Sequence, residues 1–98
     1  MTIEKKFNDR NLTLIVSGRL DTNTSPELEK TVENIGSDVG NLTLDLKDLE
    51  YISSAGLRVV LQAHKIMTKQ GILELINVPD AIKEIFEMTG FSEVLNIQ

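Results

Sequence analysis

The chain has no cysteine and no tryptophan, and three phenylalanines and one tyrosine are its only aromatic residues. Without cysteine there is no disulfide framework, no thiolate metal site and no cysteine nucleophile. With so few rings there is no large stacking surface for sugars or bases. Ten basic residues stand against 15 acidic ones, the net charge is −5, and no basic run occurs. Nucleic acid is therefore not an expected partner. No apolar run approaches the ~18 residues that suggest a membrane span. The segment from Met1 to Lys6 lacks the pattern of a signal peptide. A cytoplasmic protein without direct membrane insertion is expected.

What is present is 98 residues, the length of one domain spanning 1–98 with a single core. The apolar share, 41%, is somewhat low, but the apolar residues are periodic, which argues against disorder. Residues 2–7 read as a weak strand whose lysines and glutamate suit a sheet edge. After turn residues Asn8 to Asn11, Leu12, Leu14 and Val16 alternate with Thr13, Ile15 and Ser17, a strand with one apolar face. Gly18 is expected to open a loop to Ser25. Thr24 or Ser25 then caps a helix that has Pro26 in its first turn and runs to about Ile35. Leu42, Leu44 and Leu46 give the clearest strand. Gly56, Val59, Val60, Ala63, Ile66 and Met67 form one stripe of the next helix, which Gly71 ends.

Residues 72–76 read as a mostly buried strand. A third helix follows, with Ile82, Ile85 and Phe86 inward and Gly90 at its C-terminal end, then a short strand from Val94, Leu95 and Ile97. The order is β-β-α-β-α-β-α-β. It predicts an α/β fold with a mixed, mostly parallel sheet and helices mainly on one face. In such sheets the strand-to-helix loops gather at one edge. Asp21, Thr22, Asn23, Ser53, Ser54 and Asn77 should all approach that edge.

Ser53 and Ser54 fall at the predicted start of the central helix. A hydroxyl there accepts from an unpaired N–H of the first turn, and the helix dipole favours an anion. An ordinary cap is the plainer explanation. No serine triad is available, since His64 lies about 15 Å along the same helix at 1.5 Å per residue. Asp21, Asp45, Asp48 and Glu50 read as solvated carboxylates in preference to a metal site. The stretch from Gly36 to Gly40 lacks the Lys and Ser/Thr of a phosphate loop. No metal or cofactor is expected. Leu57 and Leu61, one turn beyond the serines, are either the flank of a wide core face or an apolar contact for a protein partner.

The segment from Leu46 to Leu61, LKDLEYISSAGLRVVL, resembles the central motif of the STAS domain, the domain of bacterial anti-sigma factor antagonists. The resemblance extends to Gly18–Thr24 and to Val78–Phe91, and so covers nearly the whole chain. It implies a binding module and not an enzyme. The unphosphorylated antagonist binds an anti-sigma factor, usually a serine kinase, and frees a sigma factor. Phosphorylation releases the partner, and a serine phosphatase resets the system. Matching on Gly56 and Leu57 puts the family's phosphoserine at Ser54. The family's preceding aspartate falls on Ser53, which becomes a competing acceptor, and its following Ser/Thr falls on Ala55. The implied partner-binding set is Asp21, Thr22, Asn23, Ser53, Ser54, Gly56, Leu57 and Leu61. The rivals are an accessory subunit of a membrane lipid ABC transporter, contacting its ATPase, and a small enzyme or nucleotide-binding domain.

Overall fold

Leucines that alternate along three separate segments need one common apolar layer, and parallel pairing supplies it. In the computed structural model, which describes residues 1–98, Leu12, Leu42 and Leu73 lie in register across three strands, as do Leu14, Leu44 and Leu75. All six are buried. The strands are β1 (Thr2–Asn8), β2 (Asn11–Leu20), β3 (Asn41–Asp45), β4 (Leu49–Ile52), β5 (Ile72–Ile76) and β6 (Asn96–Ile97). The helices are α1 (Ser25–Glu33), α2 (Ser54–Met67) and α3 (Asp80–Met88), and a single 3-10 turn spans Phe91–Glu93. The sheet runs β1-β2-β3-β5-β6, with β4 paired to the far end of β2. Only β1 is antiparallel to its neighbour; the other pairings are parallel.

The helices cover one face. Leu28 and Val32 from α1, Val59, Val60, Ala63 and Met67 from α2, and Ile82 and Phe86 from α3 join the strand leucines in one continuous apolar cluster. On the other face Thr13, Ile15, Thr43, Asp45, Glu74 and Ile76 stay half-buried. This is the α/β fold with a mixed, mostly parallel sheet that the alternation predicts.

Four local expectations change. β2 does not end at Gly18. It continues to Leu20, with Gly18 at φ 89 and a register shift between Gly18 and Arg19. That positive φ suits a residue without a Cβ. The stretch expected as a turn after Lys47 contains β4. Its burial runs buried, exposed, exposed, buried from Leu49 to Ile52, so four residues carry no period-2 signal. Ile72, expected inside, is 55% exposed at the start of β5. Val94 is exposed and lies outside the final strand, which is only Asn96–Ile97.

The turn after α2 needs a glycine for a steric reason. A Cβ on Gly71 would lie 1.8 Å from the carbonyl oxygen of Gly40, and that oxygen accepts the Ile72 N–H at 3.0 Å. Neither backbone can withdraw without breaking the start of the β3–β5 pairing. Gly71→Ala is expected to cost at least ~2 kcal/mol, as overpacking against backbone does. Urea unfolding measures this, and a wild-type midpoint would show that the two segments are free to separate.

Candidate functional site

The end of β2 and the end of β4 together carry the start of α2. Leu20 pairs with Ile52, and the Ser53 N–H donates to the Leu20 carbonyl at 2.9 Å. Ser53 is therefore held in extended conformation (φ −95, ψ 176) as the N-cap residue, and its hydroxyl accepts from the Gly56 N–H at 3.4 Å. Ser54 is the first helical residue and is exposed. The two serines thus differ in kind: one side chain closes the helix end and the other faces solvent. The first turn of α2 has no acidic residue.

Gly56 and Leu57 lie beneath this corner and not on its surface. A Cβ on Gly56 would stand 2.8 Å from Ile52 Cγ1 and 2.9 Å from both Leu20 Cγ and the Leu20 carbonyl oxygen. Leu57 is 8% exposed and belongs to the core. The expectation that these two offer contact surface is corrected: the helix buries a wide arc, and they support the corner from inside. Leu61, one turn further, is half-buried.

The segment after β2 is ordered by its own side chains. Asp21 Oδ1 accepts from the Asn23 N–H at 3.0 Å and the Thr24 N–H at 3.1 Å. The Asp21 N–H donates to Thr24 Oγ1 at 2.9 Å, and that hydroxyl donates to the Arg19 carbonyl at 2.7 Å. Thr24 is the N-cap of α1, as one of the two expected residues, but its side chain serves the loop and not the helix. Thr22 and Asn23 are left exposed at the tip. The hydrogen bond from the Thr24 N–H holds the Asp21 carboxyl below the usual aspartate range. The Asn23 N–H, the Thr24 hydroxyl and the Arg19 charge add to this, while desolvation opposes it.

Arg19 was not legible as part of the site. Its Nε lies 3.8 Å from Asp21 Oδ2, and its guanidinium stands 4.2 Å from the centre of the Tyr51 ring. β2–β4 pairing sets Arg19 opposite Tyr51, so the contact was hidden along with β4. Arg58 was also missed. With Thr22, Ser25, Glu29 and Ala55 it lines a cleft of about 160 Å³ between the starts of α1 and α2. Ser25 is 3% exposed and its hydroxyl has no partner. Asn77, exposed at φ 53, donates from its amide to Asp45 Oδ1 at 3.2 Å, and the same oxygen accepts the Lys47 N–H. Asp45, the last residue of β3, thereby ties the chain after it, and no three His, Asp or Glu side chains converge as metal ligands. His64 lies far down α2, near Thr68 and Ile72.

The STAS domain family model matches residues 2–98. The chain belongs to the STAS domain family. An anti-sigma-B factor antagonist of Listeria monocytogenes is 31% identical over 101 residues, covering all of this chain and 89% of the relative. One from Bacillus subtilis is 26% identical, covering 99% and 90%. The crystal structure of an anti-sigma factor antagonist from Mycobacterium paratuberculosis superposes with a TM-score of 0.87 at 23% identity, covering 98% of this STAS domain and 83% of that chain. No helix of this STAS domain is long and apolar enough to cross a membrane.

The Asp21 interactions have a pH signature. Because the folded-state value is depressed, their stabilisation is fully present above the ordinary aspartate value of 3.8 and is lost as pH falls through the lower folded value. Asp21→Asn is expected to be less stable than wild type at pH 7, with the gap narrowing below about pH 4. Urea midpoints across that range measure it; a gap that stays constant with pH would remove the carboxylate from the explanation.

Proposed function

We propose that this STAS domain is an anti-sigma factor antagonist that works by partner switching, with Ser54 as its phosphorylation site. One observation carries the choice of residue. The Ser53 hydroxyl is engaged in capping α2, while Ser54 is exposed at the positive end of the helix. Relatives named anti-sigma-B factor antagonists support the biological setting. In this reading residues 1–98 act as one STAS unit in the cytoplasm, without catalysis of their own. The unmodified surface of Asp21, Thr22, Asn23, Ser53, Ser54 and Leu61 binds an anti-sigma factor that is also a serine kinase. The kinase contributes the nucleotide chemistry, and a serine phosphatase restores the free hydroxyl.

The energetics favour release over unfolding. A phosphoryl group adds roughly −1.5 to −2 charge. At a helix start it gains at most ~2 kcal/mol from the dipole, whereas an unpaired charge trapped in an interface costs about 3–5 kcal/mol. The modified domain should stay folded while its partner leaves. The test is a titration of the anti-sigma factor kinase from the same cell against wild type and Ser54→Asp, with labelled phosphate transfer to wild type, Ser54→Ala and Ser53→Ala. Affinity is expected to fall by about two to four decades in Ser54→Asp. Label should disappear in Ser54→Ala and persist in Ser53→Ala. Equal affinities, or label on Ser53 alone, would overturn the assignment.

A further inference from the structure

We propose that Arg58 is the internal counter-ion of the modified site: it clamps the phosphoryl group of phosphorylated Ser54 across one turn of α2. This rests on Ser54 being the modified residue. Residues four apart on a helix are surface neighbours with Cβ atoms about 5–6 Å apart. Ser54 opens α2 and is exposed, and Arg58, four residues on, is also exposed. A guanidinium offers a planar fork of donors that matches phosphoryl oxygens two at a time.

In the unmodified chain this cation is unpaired. The only ion pair in the structure is Arg19 with Asp21, on the neighbouring loop. The first turn of α2 contains no carboxylate. Glu29 of α1 lines the same cleft as Arg58 but does not come within ion-pair distance of it. An unpaired cation and an uncompensated helix start therefore meet at one surface point, in a chain whose net charge is −5. A phosphoryl group on Ser54 satisfies both. Modification then does more than add negative charge. It withdraws an exposed arginine from the surface that faces a partner, and fixes the phosphoryl group beside the mouth of the cleft. Arg58 is a positioning residue in this scheme and takes no part in transfer.

The experiment uses full-length protein with phosphoserine inserted at position 54 during translation, so that no kinase is needed. The second ionisation of the phosphoryl group is followed by phosphorus NMR in wild type, Arg58→Ala and Arg58→Lys, with circular dichroism confirming the fold of each. An adjacent guanidinium favours the dianion. Its removal in Arg58→Ala is expected to raise the phosphoryl pKa by about 0.15–0.4 unit, while Arg58→Lys keeps most of the wild-type value. Glu29, Asp21 and Arg19, the charged groups of the adjoining helix and loop, are unchanged in all three. Identical titrations in the three proteins would overturn the clamp and leave the phosphorylation switch standing. Failure of kinase labelling at Ser54 would remove the switch and leave this titration readable.

Discussion

The start of α2 sits on two strand ends with no room for a side chain between them. Gly56 approaches Ile52, the Leu20 side chain and the Leu20 carbonyl oxygen so closely that a single methyl group would overlap all three. The Leu20 carbonyl also holds the Ser53 N–H. One peptide group at the end of β2 thus both holds the N-cap residue and stands in close contact with Gly56. β4 exists to complete that seat: it is four residues long, pairs only with β2, and delivers Ile52 next to Ser53. Whatever Ser54 presents to solvent, it presents from this platform.

The platform explains why two adjacent serines are not equivalent. Ser53 is in extended conformation and its hydroxyl turns back onto the helix; Ser54 has entered the helix and its side chain points away from the core. A charge on the outer hydroxyl adds nothing to the buried layer of leucines, so the residue that closes the helix and the residue open to solvent are adjacent but distinct. The neighbouring loop is ordered in the same economical way. Asp21 satisfies two backbone N–H groups of its own turn and is itself held by Arg19, which leans on Tyr51. Thr22 and Asn23 are thereby held exposed on an ordered tip, and a pre-ordered loop loses less conformational entropy in any contact it makes.

Much of this was legible in the residues. The alternation at Leu12–Val16 and at Leu42–Leu46, the stripe from Gly56 to Met67, and the start of α1 marked by Pro26 were enough for the sheet, the helices and the gathering of loops at one edge. What was hidden has physical reasons. β4 buries its two end residues and exposes the middle pair, so its pattern matches neither period. Gly18 looked like a loop residue because a strand rarely needs a positive φ; here it pairs with Leu49 and lies where the β2–β4 register shifts. Arg19 and Tyr51 are 32 residues apart and meet only through that pairing. Leu57 could be core or contact from sequence alone, because the width of a buried helix arc is set by what packs on it. Which of Ser53 and Ser54 caps α2 was likewise open from the spacing alone, because both fall at the helix start.

If the seat beneath α2 governs the corner, its tolerance for one methyl group is the quantity to measure. Thermal unfolding of Gly56→Ala, with Gly36→Ala as the reference, does so directly. At Gly36 an added Cβ meets only the flexible Asp38 side chain, so that protein should melt at or near the wild-type temperature. At Gly56 the obstruction includes backbone, and a cost of about 1–3 kcal/mol corresponds to a fall in Tm on the order of 10 °C for a domain of this size. A Gly56→Ala protein that melts with wild type and Gly36→Ala would contradict the close seating, and with it the argument that the strand ends hold Ser54 in place.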